Sequence, residues 1–289
     1  MSSVEALGVD RLVNSERYSL SNPGHPVWRE IVSHTRAQLH EHGCGVLPDF
    51  LRPELRETLR AECAAIAPLA HYDVEVVNAY NLATDRPLPE GHPGRITMER
   101  RNAFVARDQV PGNSIIHRLY TSPQFQRFIA DCFGLPEIHE LADPLSGLCL
   151  NVVAPGMDHP WHFDTNEFTV SMLTQEPDEG GVFEYCPNIR SATAENFNDV
   201  RSVLTGESRR LVRRWALRPG DLQLFKGRYS LHRVNTVSGE RARHSAIFAY
   251  SEQPEVIGSV ERTRQLFGRV LSRHLAAADR VLRGDRLLD

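Results

Sequence analysis

Short apolar segments separated by turn-forming residues occupy the second half of the chain, and they constrain its fold more than any other feature. The segments are Leu148–Ala154, Phe168–Leu173, Val182–Cys186, Leu211–Leu217, Leu222–Phe225, Ser230–Val237 and Arg243–Tyr250. Turns such as Pro155-Gly156 and Pro219-Gly220-Asp221 separate them. Short strands at this spacing predict a sandwich or barrel rather than alternating βαβ units. We therefore expect a jelly-roll-like core over residues 147–252.

Helical patterns surround this predicted core. Pro26 begins a helix that Gly43 ends, and apolar residues recur every three to four positions over Leu51–Ala67. The fold class predicted is mainly β with flanking helices. We expect one domain over residues 1–289, made of a loose arm (1–20), a supporting region (21–146, with strands at His71–Leu82 and Ile96–Arg107), the core (147–252, interrupted by a helix at Ala194–Leu204) and a single closing amphipathic helix (258–283).

Composition narrows the possible functions. The chain has 13 His but only 5 scattered Cys without a CxxC pair, which argues against a disulfide framework and a thiolate zinc site. The net charge of −4 argues against nucleic acid as a partner. The sequence shows neither a signal peptide nor a long uncharged apolar run, so we expect no membrane association and a cytoplasmic location. Oligomeric state is not indicated. A metal, if bound, would have imidazole and carboxylate ligands.

Two residues in the segment Pro160-Trp161-His162-Phe163-Asp164 can share a metal. Side chains two positions apart on an extended chain point to the same face, so His162 and Asp164 can converge. A second His from a distant strand would complete the two-His, one-carboxylate triad of non-haem Fe(II) sites. His232, in a predicted strand 68 residues after Asp164 (232 − 164), can supply it.

An anion site is predicted one hairpin further on. Arg243 and Ser245 share a strand face beyond the Ser238-Gly239 turn. A guanidinium together with a hydroxyl suits the carboxylate end of a small dicarboxylate.

His162-x-Asp164, His232 and Arg243-x-Ser245, in this order on short strands, resemble the Fe(II)/2-oxoglutarate-dependent oxygenase superfamily, as does Gly180-Gly181-x-Phe183. The resemblance implies a double-stranded β-helix core with helices packed outside. It implies Fe(II) held by the three ligands, O2, and 2-oxoglutarate whose far carboxylate pairs with Arg243 and Ser245. We include Asn151 among the expected 2-oxoglutarate contacts.

A narrower resemblance concerns the stretch from Trp161 to Val170, which is similar to a bacterial subgroup that acts on amino acids. That subgroup includes amino-acid hydroxylases and free-amino-acid halogenases. The halogenases have Gly in place of the carboxylate ligand, which makes room for chloride, whereas this chain has Asp164. Hydroxylation of an amino acid or a derivative is therefore the implied reaction. Desaturation and oxidative cyclisation remain open, because they also begin with hydrogen abstraction.

The substrate contacts are inferred from position along the chain. His159 precedes the first ligand by three residues, where the halogenases have a His near the amino acid. The other expected contacts are Trp161 as a pocket wall, Thr165 beside the ligand carboxylate, and Arg101, or its neighbour Arg100, for a substrate carboxylate. Ile247 and Ala249 would follow Ser245 on the same strand face, and their apolar side chains favour an aliphatic substrate side chain.

Two other classes of function could use the same architecture. One is a cupin-type metal-binding sensor or binding module without turnover, and the other is a metal-dependent isomerase or hydrolase. Arg243-x-Ser245 favours the oxygenase over both, because only a 2-oxoglutarate user needs a dicarboxylate anchor at that position.

Overall fold

Antiparallel strands dominate the middle of the chain, and helices flank them. The computed structural model describes residues 8–277 and 287–288. The described helices are α1 (Pro26–His42), α2 (Arg56–Ile66), α3 (Ile115–Tyr120), α4 (Pro123–Phe133), α5 (Phe197–Leu204), α6 (Val260–Phe267) and α7 (Ser272–Ala276). Across the described residues, no helix has the length and apolar character needed to cross a membrane.

The described strands are short. They are β1 (Cys44–Leu47), β2 (Glu75–Asn78), β3 (Thr97–Arg100), β4 (Ala103–Val105), β5 (His139–Glu140), β6 (Leu148–Val153), β7 (His159–His162), β8 (Thr169–Gln175), β9 (Glu179–Gly180), β10 (Phe183–Cys186), β11 (Arg213–Trp215), β12 (Leu222–Phe225), β13 (Leu231–Val234), β14 (Val237–Ser238), β15 (Arg243–Phe248) and β16 (Tyr250–Ser251).

Two sheets form the core, and all their strand pairs are antiparallel. The larger sheet has the order β1-β12-β8-β15-β6-β4, and the smaller has the order β11-β10-β13-β7. The remaining described strands pair as β14-β9, β16-β5 and β2-β3. This arrangement confirms the predicted mainly-β core with flanking helices.

Side-chain alternation along the larger sheet separates its two faces. On β15, Ala246 and Phe248 join the main apolar core, which also contains Trp28 of α1 and Phe128 of α4. Ser245, between the positions that face this core, instead lines a cavity. The N-terminal helices therefore cover one face of the sheet and leave the other face for the site.

The helix ends follow their sequence signals. Helix α1 begins at Pro26 and ends at Gly43, whose φ of 63° is readily accessible only to glycine. The Ser122 hydroxyl accepts a hydrogen bond from Phe125 N at 3.3 Å and caps α4.

The prediction of a loose arm over residues 1–20 is wrong for its described part. Leu12, Val13, Tyr18 and Leu20 are buried in the main core. The backbone of this segment also bonds to the body of the protein, for example from Asn14 N to Phe50 O at 2.9 Å. These apolar residues follow neither a helical nor a strand period, so their pattern gave no signal of burial. Residues 1–7 lie outside the described residues.

The single closing helix predicted over residues 258–283 is two helices in its described part. Helix α6 ends at Phe267, and Gly268 follows with a φ of 68°; α7 begins only at Ser272. A left-handed glycine of this kind is a common helix terminator, and apolar periodicity alone cannot reveal it. Residues 278–283 of the predicted helix lie outside the described residues.

Strand boundaries also differ from those predicted in the supporting region. Within the predicted strand His71–Leu82, β2 forms the one regular strand and His71 makes an isolated bridge with Phe104, and the predicted strand Ile96–Arg107 divides into β3 and β4. The division arises because β3 pairs with β2 whereas β4 pairs with β6 of the larger sheet. Strand β1 was not predicted, because it is short and follows directly on the end of α1.

Candidate metal centre

Two neighbouring strands of the smaller sheet bring the predicted metal ligands together. His162 ends β7 and lies directly opposite His232 of β13 in the antiparallel register. Asp164 follows two residues after β7, and its backbone N donates a hydrogen bond to Gly227 O at 3.1 Å. The strand register thus places His232, from late in the chain, beside His162 and Asp164, from its middle.

The three side chains converge on one point. Asp164 Oδ1 lies 3.6 Å from His162 Nε2 and 3.5 Å from His232 Nε2. One ligand atom from each of the three residues lies within 4.8 Å of the others. Two imidazoles and one carboxylate are the donor set of non-haem Fe(II) sites.

Hydrogen bonds orient both imidazoles for metal binding. His162 Nδ1 lies 2.8 Å from Pro160 O, and His232 Nδ1 lies 3.0 Å from Ser230 O. A carbonyl oxygen only accepts, so each Nδ1 carries a proton, and in the neutral tautomer this leaves Nε2 with the lone pair that a metal binds. Backbone bonds of this kind fix the tautomer and the ring orientation of metal-bound histidines. The residues present therefore fit an iron ion held by two Nε2 atoms and one carboxylate.

The environment keeps His162 and Asp164 in the protonation states that a metal needs. Burial, and next the charge of His232, lower the pKa of His162, which favours its neutral form. Burial by itself raises the pKa of Asp164, but the two imidazoles and a hydrogen bond from Thr169 outweigh it and hold that pKa below its ordinary value. An ionised Asp164 and a neutral His162 can ligate a metal cation without first losing a proton.

The two carboxylate oxygens of Asp164 make different contacts. Oδ1 faces the histidines, whereas Oδ2 accepts a hydrogen bond from Thr169 Oγ1 at 2.6 Å. Gly227 packs against the same carboxylate. Neither Thr169 nor Gly227 was singled out in the sequence, because a supporting contact leaves no recognisable spacing.

The centre opens into a cavity of about 870 Å³ between the two sheets. This volume is within the range of small-molecule sites. Residues from the larger sheet and from the smaller sheet both line it, and the segment that carries α6 completes the wall.

Arg243 and Ser245 lie on the larger-sheet wall of this cavity. Both are buried, and Arg243 Nη1 donates to Ser245 Oγ at 3.1 Å. Burial lowers the pKa of Arg243 to about 10, so its guanidinium remains charged at neutral pH. Within the described chain no carboxylate forms an ion pair with it. A buried cation of this kind, beside a hydroxyl, can bind an anionic ligand.

Asn151 lies beside this pair. It is directly opposite Ser245 in the register of β6 with β15, and it lines the cavity. Its Oδ1 accepts a hydrogen bond from Asn102 Nδ2 at 2.9 Å, so the amide is held in one orientation. The structure thus places all the residues expected to contact 2-oxoglutarate on one wall.

Four of the residues expected to contact substrate also line the cavity, and they do so from three directions. His159 stacks on His162 with ring centroids 3.9 Å apart, and Thr165 follows the proposed ligand Asp164 in the chain. Ile247 and Ala249 face the cavity from the far end of the larger sheet, as expected. Burial, and then the charges of His162 and His232, hold the pKa of His159 well below its ordinary value, so its imidazole is neutral.

Trp161 lies outside the cavity, contrary to expectation. It packs in a second apolar cluster, with the Arg233 guanidinium 4.7 Å from its ring centroid. The register of β7 with β13 shifts between His232 and Val234, which allows His159 and His162 both to face inward although they are three residues apart. Trp161 therefore points to the other side of the sheet.

Arg101 is also outside the cavity, and its neighbour is already paired. Arg101 is exposed and forms an ion pair with Glu99. Arg100 is buried and bonds to Glu75 Oε2 at 2.7 Å and to Gln265 O at 2.9 Å. The cation that does line the cavity from this side is Arg262 of α6, which was not predicted because the pattern of that helix indicated only an apolar face.

Solved structures share this architecture. An oxidoreductase of the 2OG-Fe(II) oxygenase family from Burkholderia pseudomallei matches with a TM-score of 0.50 and 18% identity, over 78% of this chain and 92% of its own. A Trichoplax adhaerens prolyl hydroxylase, solved with a hypoxia inducible factor peptide fragment, matches with a TM-score of 0.52 and 15% identity, over 85% and 98%. A non-heme alpha ketoglutarate dependent carbocyclase from nogalamycin biosynthesis matches with a TM-score of 0.50 and 15% identity, over 75% and 82%. At these identities the likeness shows the fold alone.

Sequence comparison identifies the family to which the chain belongs. No curated protein matches the chain by sequence. The Halogenase D family matches residues 27–267, which is most of the chain. The expected superfamily, with Fe(II), 2-oxoglutarate and O2 as its cofactors, agrees with this match, with the shared fold and with the candidate iron site. The chain belongs to the Halogenase D family, within the Fe(II)/2-oxoglutarate-dependent oxygenases.

Proposed function

We propose that the protein hydroxylates an unactivated carbon of a free or lightly modified amino acid. In the overall reaction, the substrate C–H bond becomes C–OH while 2-oxoglutarate and O2 yield succinate and CO2. The observation that carries the choice of hydroxylation is Asp164, whose Oδ1 lies 3.6 Å and 3.5 Å from the two histidine Nε2 atoms. A carboxylate at this position fills the ligand site that the halogenases leave for chloride.

The roles of the other residues follow from their places in the cavity. When bound, iron supplies oxygen activation, and His162, Asp164 and His232 would hold it. Arg243, Ser245 and Asn151 would bind 2-oxoglutarate, because together they offer a cation, a hydroxyl and an amide on one buried wall. The surrounding walls would exclude water from the reacting carbon.

Charges at the cavity support an amino acid as the substrate. Glu167 and Glu252 both line it, and burial, together with nearby Glu167, raises the pKa of Glu252. Two acidic side chains close together attract a cation such as an ammonium group. His159 and Thr165 provide neutral hydrogen-bonding groups nearer the metal. All five cysteines are buried and unpaired, and on this basis we propose the reducing cytoplasm as the compartment.

The direct test is turnover with Fe(II), 2-oxoglutarate and ascorbate across a panel of L-amino acids and their N-acylated derivatives. We expect succinate formation that depends on one or a few of these compounds, and a product that has gained one oxygen atom by mass spectrometry. A product that has lost two hydrogen atoms would show desaturation or cyclisation instead. No succinate with any compound, together with no 2-oxoglutarate binding by calorimetry, would favour a metal-binding protein without oxygenase turnover.

Two variants connect this activity to the candidate centre. We expect His162→Ala to abolish succinate formation without unfolding the protein, whereas His34→Ala, on the exposed face of α1, keeps it. Asp164→Gly should lose hydroxylation, and the same assay with added chloride shows whether a chlorinated product replaces the hydroxylated one. Hydroxylation at the wild-type rate in Asp164→Gly would mean that Asp164 is not a ligand.

A further inference from the structure

Arg262 of α6 is one of four arginines in the wall of the cavity. Its backbone N donates to Ser259 Oγ at 3.2 Å, so the helix cap fixes the position from which the side chain extends. Burial, and next the charge of Arg100, lower the pKa of Arg262 to about 10, so the guanidinium remains protonated at neutral pH. Its positive charge also contributes to lowering the pKa values of His159 and His162, behind burial and the other histidines.

The other cavity cations have partners in the protein or a proposed ligand. Arg233 pairs with Glu184 at 2.6 Å, and Arg228 Nη1 lies 3.4 Å from Thr165 O. Arg243 faces the proposed 2-oxoglutarate site. Arg262, in contrast, bonds through its side chain to Gln265, a neutral residue, and within the described residues it has no carboxylate at ion-pair distance.

Arg262 is half-buried, so its guanidinium is partly withdrawn from water without an anionic partner, and a ligand that supplies the anion would compensate for the lost hydration. Within the described residues, Arg243 and Arg262 each have no carboxylate at ion-pair distance, and 2-oxoglutarate accounts for only the first. We propose that Arg262 binds the carboxylate of the primary substrate, an assignment that rests on the proposed function. The substrate then carries a free carboxylate, and any modification of it lies at the amino group or the side chain.

Ion pairs within the protein explain why Arg100 and Arg101, the arginines expected from the sequence, are not the anchor for the substrate carboxylate. Arg100 and Arg101 are already neutralised by Glu75 and Glu99. Binding of a carboxylate by Arg262 would place the substrate beside His159, which stacks on the metal ligand His162. Substrates whose carboxylate is an ester, an amide or part of a peptide bond would leave the guanidinium unpaired and would bind weakly.

The test compares each amino acid or N-acyl amino acid that increases succinate formation with its methyl ester, in the wild type and in Arg262→Gln and Arg262→Lys. We expect the esters to be inactive. We expect Arg262→Gln to raise the KM for the free acid by about 10–100-fold, the range for loss of a charge-assisted hydrogen bond, and Arg262→Lys to recover part of this loss. The affinity for 2-oxoglutarate, measured by calorimetry with Ni(II) in place of iron, should be unchanged in both variants.

The matched control is Arg264→Gln, because Arg264 lies on the same helix with its side chain exposed. It should leave the KM for the free acid unchanged. The inference is overturned if the esters are as active as the acids, or if Arg262→Gln keeps the wild-type KM. Loss of 2-oxoglutarate affinity in Arg262→Gln and Arg262→Lys alike would also overturn it, since Arg262 would then support the fold of the cavity. Failure of every compound to increase succinate formation in the wild type would instead overturn the proposed amino-acid function.

Discussion

Gly227 packs so closely on Asp164 that a Cβ built on the glycine would lie 1.9 Å from Asp164 Oδ2. The Gly227 carbonyl also accepts the hydrogen bond from Asp164 N, so the same residue contacts both the backbone and the side chain of the proposed ligand. Glycine is therefore required at position 227, because there is no space for a Cβ atom. It allows the carboxylate to reach the point where the two histidines converge.

Gly227→Ala should weaken metal binding. The added methyl group forces the Asp164 carboxylate away from its position, and changes to the groups that support a ligand typically cost about 10–100-fold in metal affinity. Anaerobic calorimetric titration with Fe(II) measures this loss. The control is Gly112→Ala, where a Cβ would meet no atom within 4 Å. Equal Fe(II) affinity in Gly227→Ala and the wild type would show that Asp164 does not bind the metal.

Thr169→Val should weaken metal binding less severely. The substitution keeps the shape of the side chain but removes the hydroxyl that donates to Asp164 Oδ2 at 2.6 Å. We expect a loss of about 10-fold in Fe(II) affinity, and Thr169→Ser should restore most of it because the hydroxyl returns. Thr97→Val, at an exposed strand position, is the control. If Thr169→Ser loses as much affinity as Thr169→Val, the methyl group rather than the hydrogen bond is responsible.

The sequence predicted which side chains converge where they lie close together in the chain and share a strand face through the period of two. His162 and Asp164 are close in the chain, and Arg243 and Ser245 are two residues apart on one strand, so their shared faces could be inferred before the fold was known. Trp161 was misplaced because a shift in strand register, set by the partner strand, interrupts that period. The role of Gly227 depends on contact across loops, and such contact leaves no mark in spacing.

Arg262 shows a second limit. The chain has 33 lysine and arginine residues, and nothing in their spacing separates a cation in a cavity wall from one at the surface. Arg101, which was expected to contact the substrate, pairs with Glu99, whereas Arg262, for which no role was expected, lines the cavity. Ion pairing is decided by tertiary structure, so spacing along the chain does not identify the arginine that faces the substrate.

Arg243→Leu should reduce the affinity for 2-oxoglutarate by about 100-fold, because the variant loses a charge-assisted interaction in a buried site. Ser245→Ala should reduce it by about 2–10-fold, since a neutral hydroxyl contributes less. Calorimetry with the Ni(II)-loaded protein measures both. Arg241→Leu, which removes an exposed guanidinium paired with Asp178, should leave the affinity unchanged. A wild-type affinity in Arg243→Leu would place the 2-oxoglutarate site elsewhere.

Asp143 connects the segment that carries Arg262 to the rest of the protein. It is fully buried; Oδ1 accepts hydrogen bonds from Leu145 N and Ser146 N, both at 2.8 Å, and Oδ2 accepts one from Gly258 N at 2.9 Å. His274 Nε2 of α7 lies 3.2 Å from Oδ1. Burial by itself raises the pKa of Asp143, but the backbone bonds outweigh it and hold that pKa below its ordinary value.

Asp143→Asn should therefore destabilise the protein in a pH-dependent manner. A carboxyl group whose folded pKa is lowered stabilises the fold above its unfolded pKa, about 3.8, and this contribution is lost as the pH falls through the folded pKa. We expect the variant to lose about 1.5–3 kcal/mol of unfolding free energy at neutral pH, measured by urea denaturation, and the difference from the wild type to shrink below about pH 4. Asp85→Asn, at an exposed loop position, should show no difference at either pH. A deficit in Asp143→Asn that stays constant into acid would mean that the ionised carboxylate is not the stabilising form.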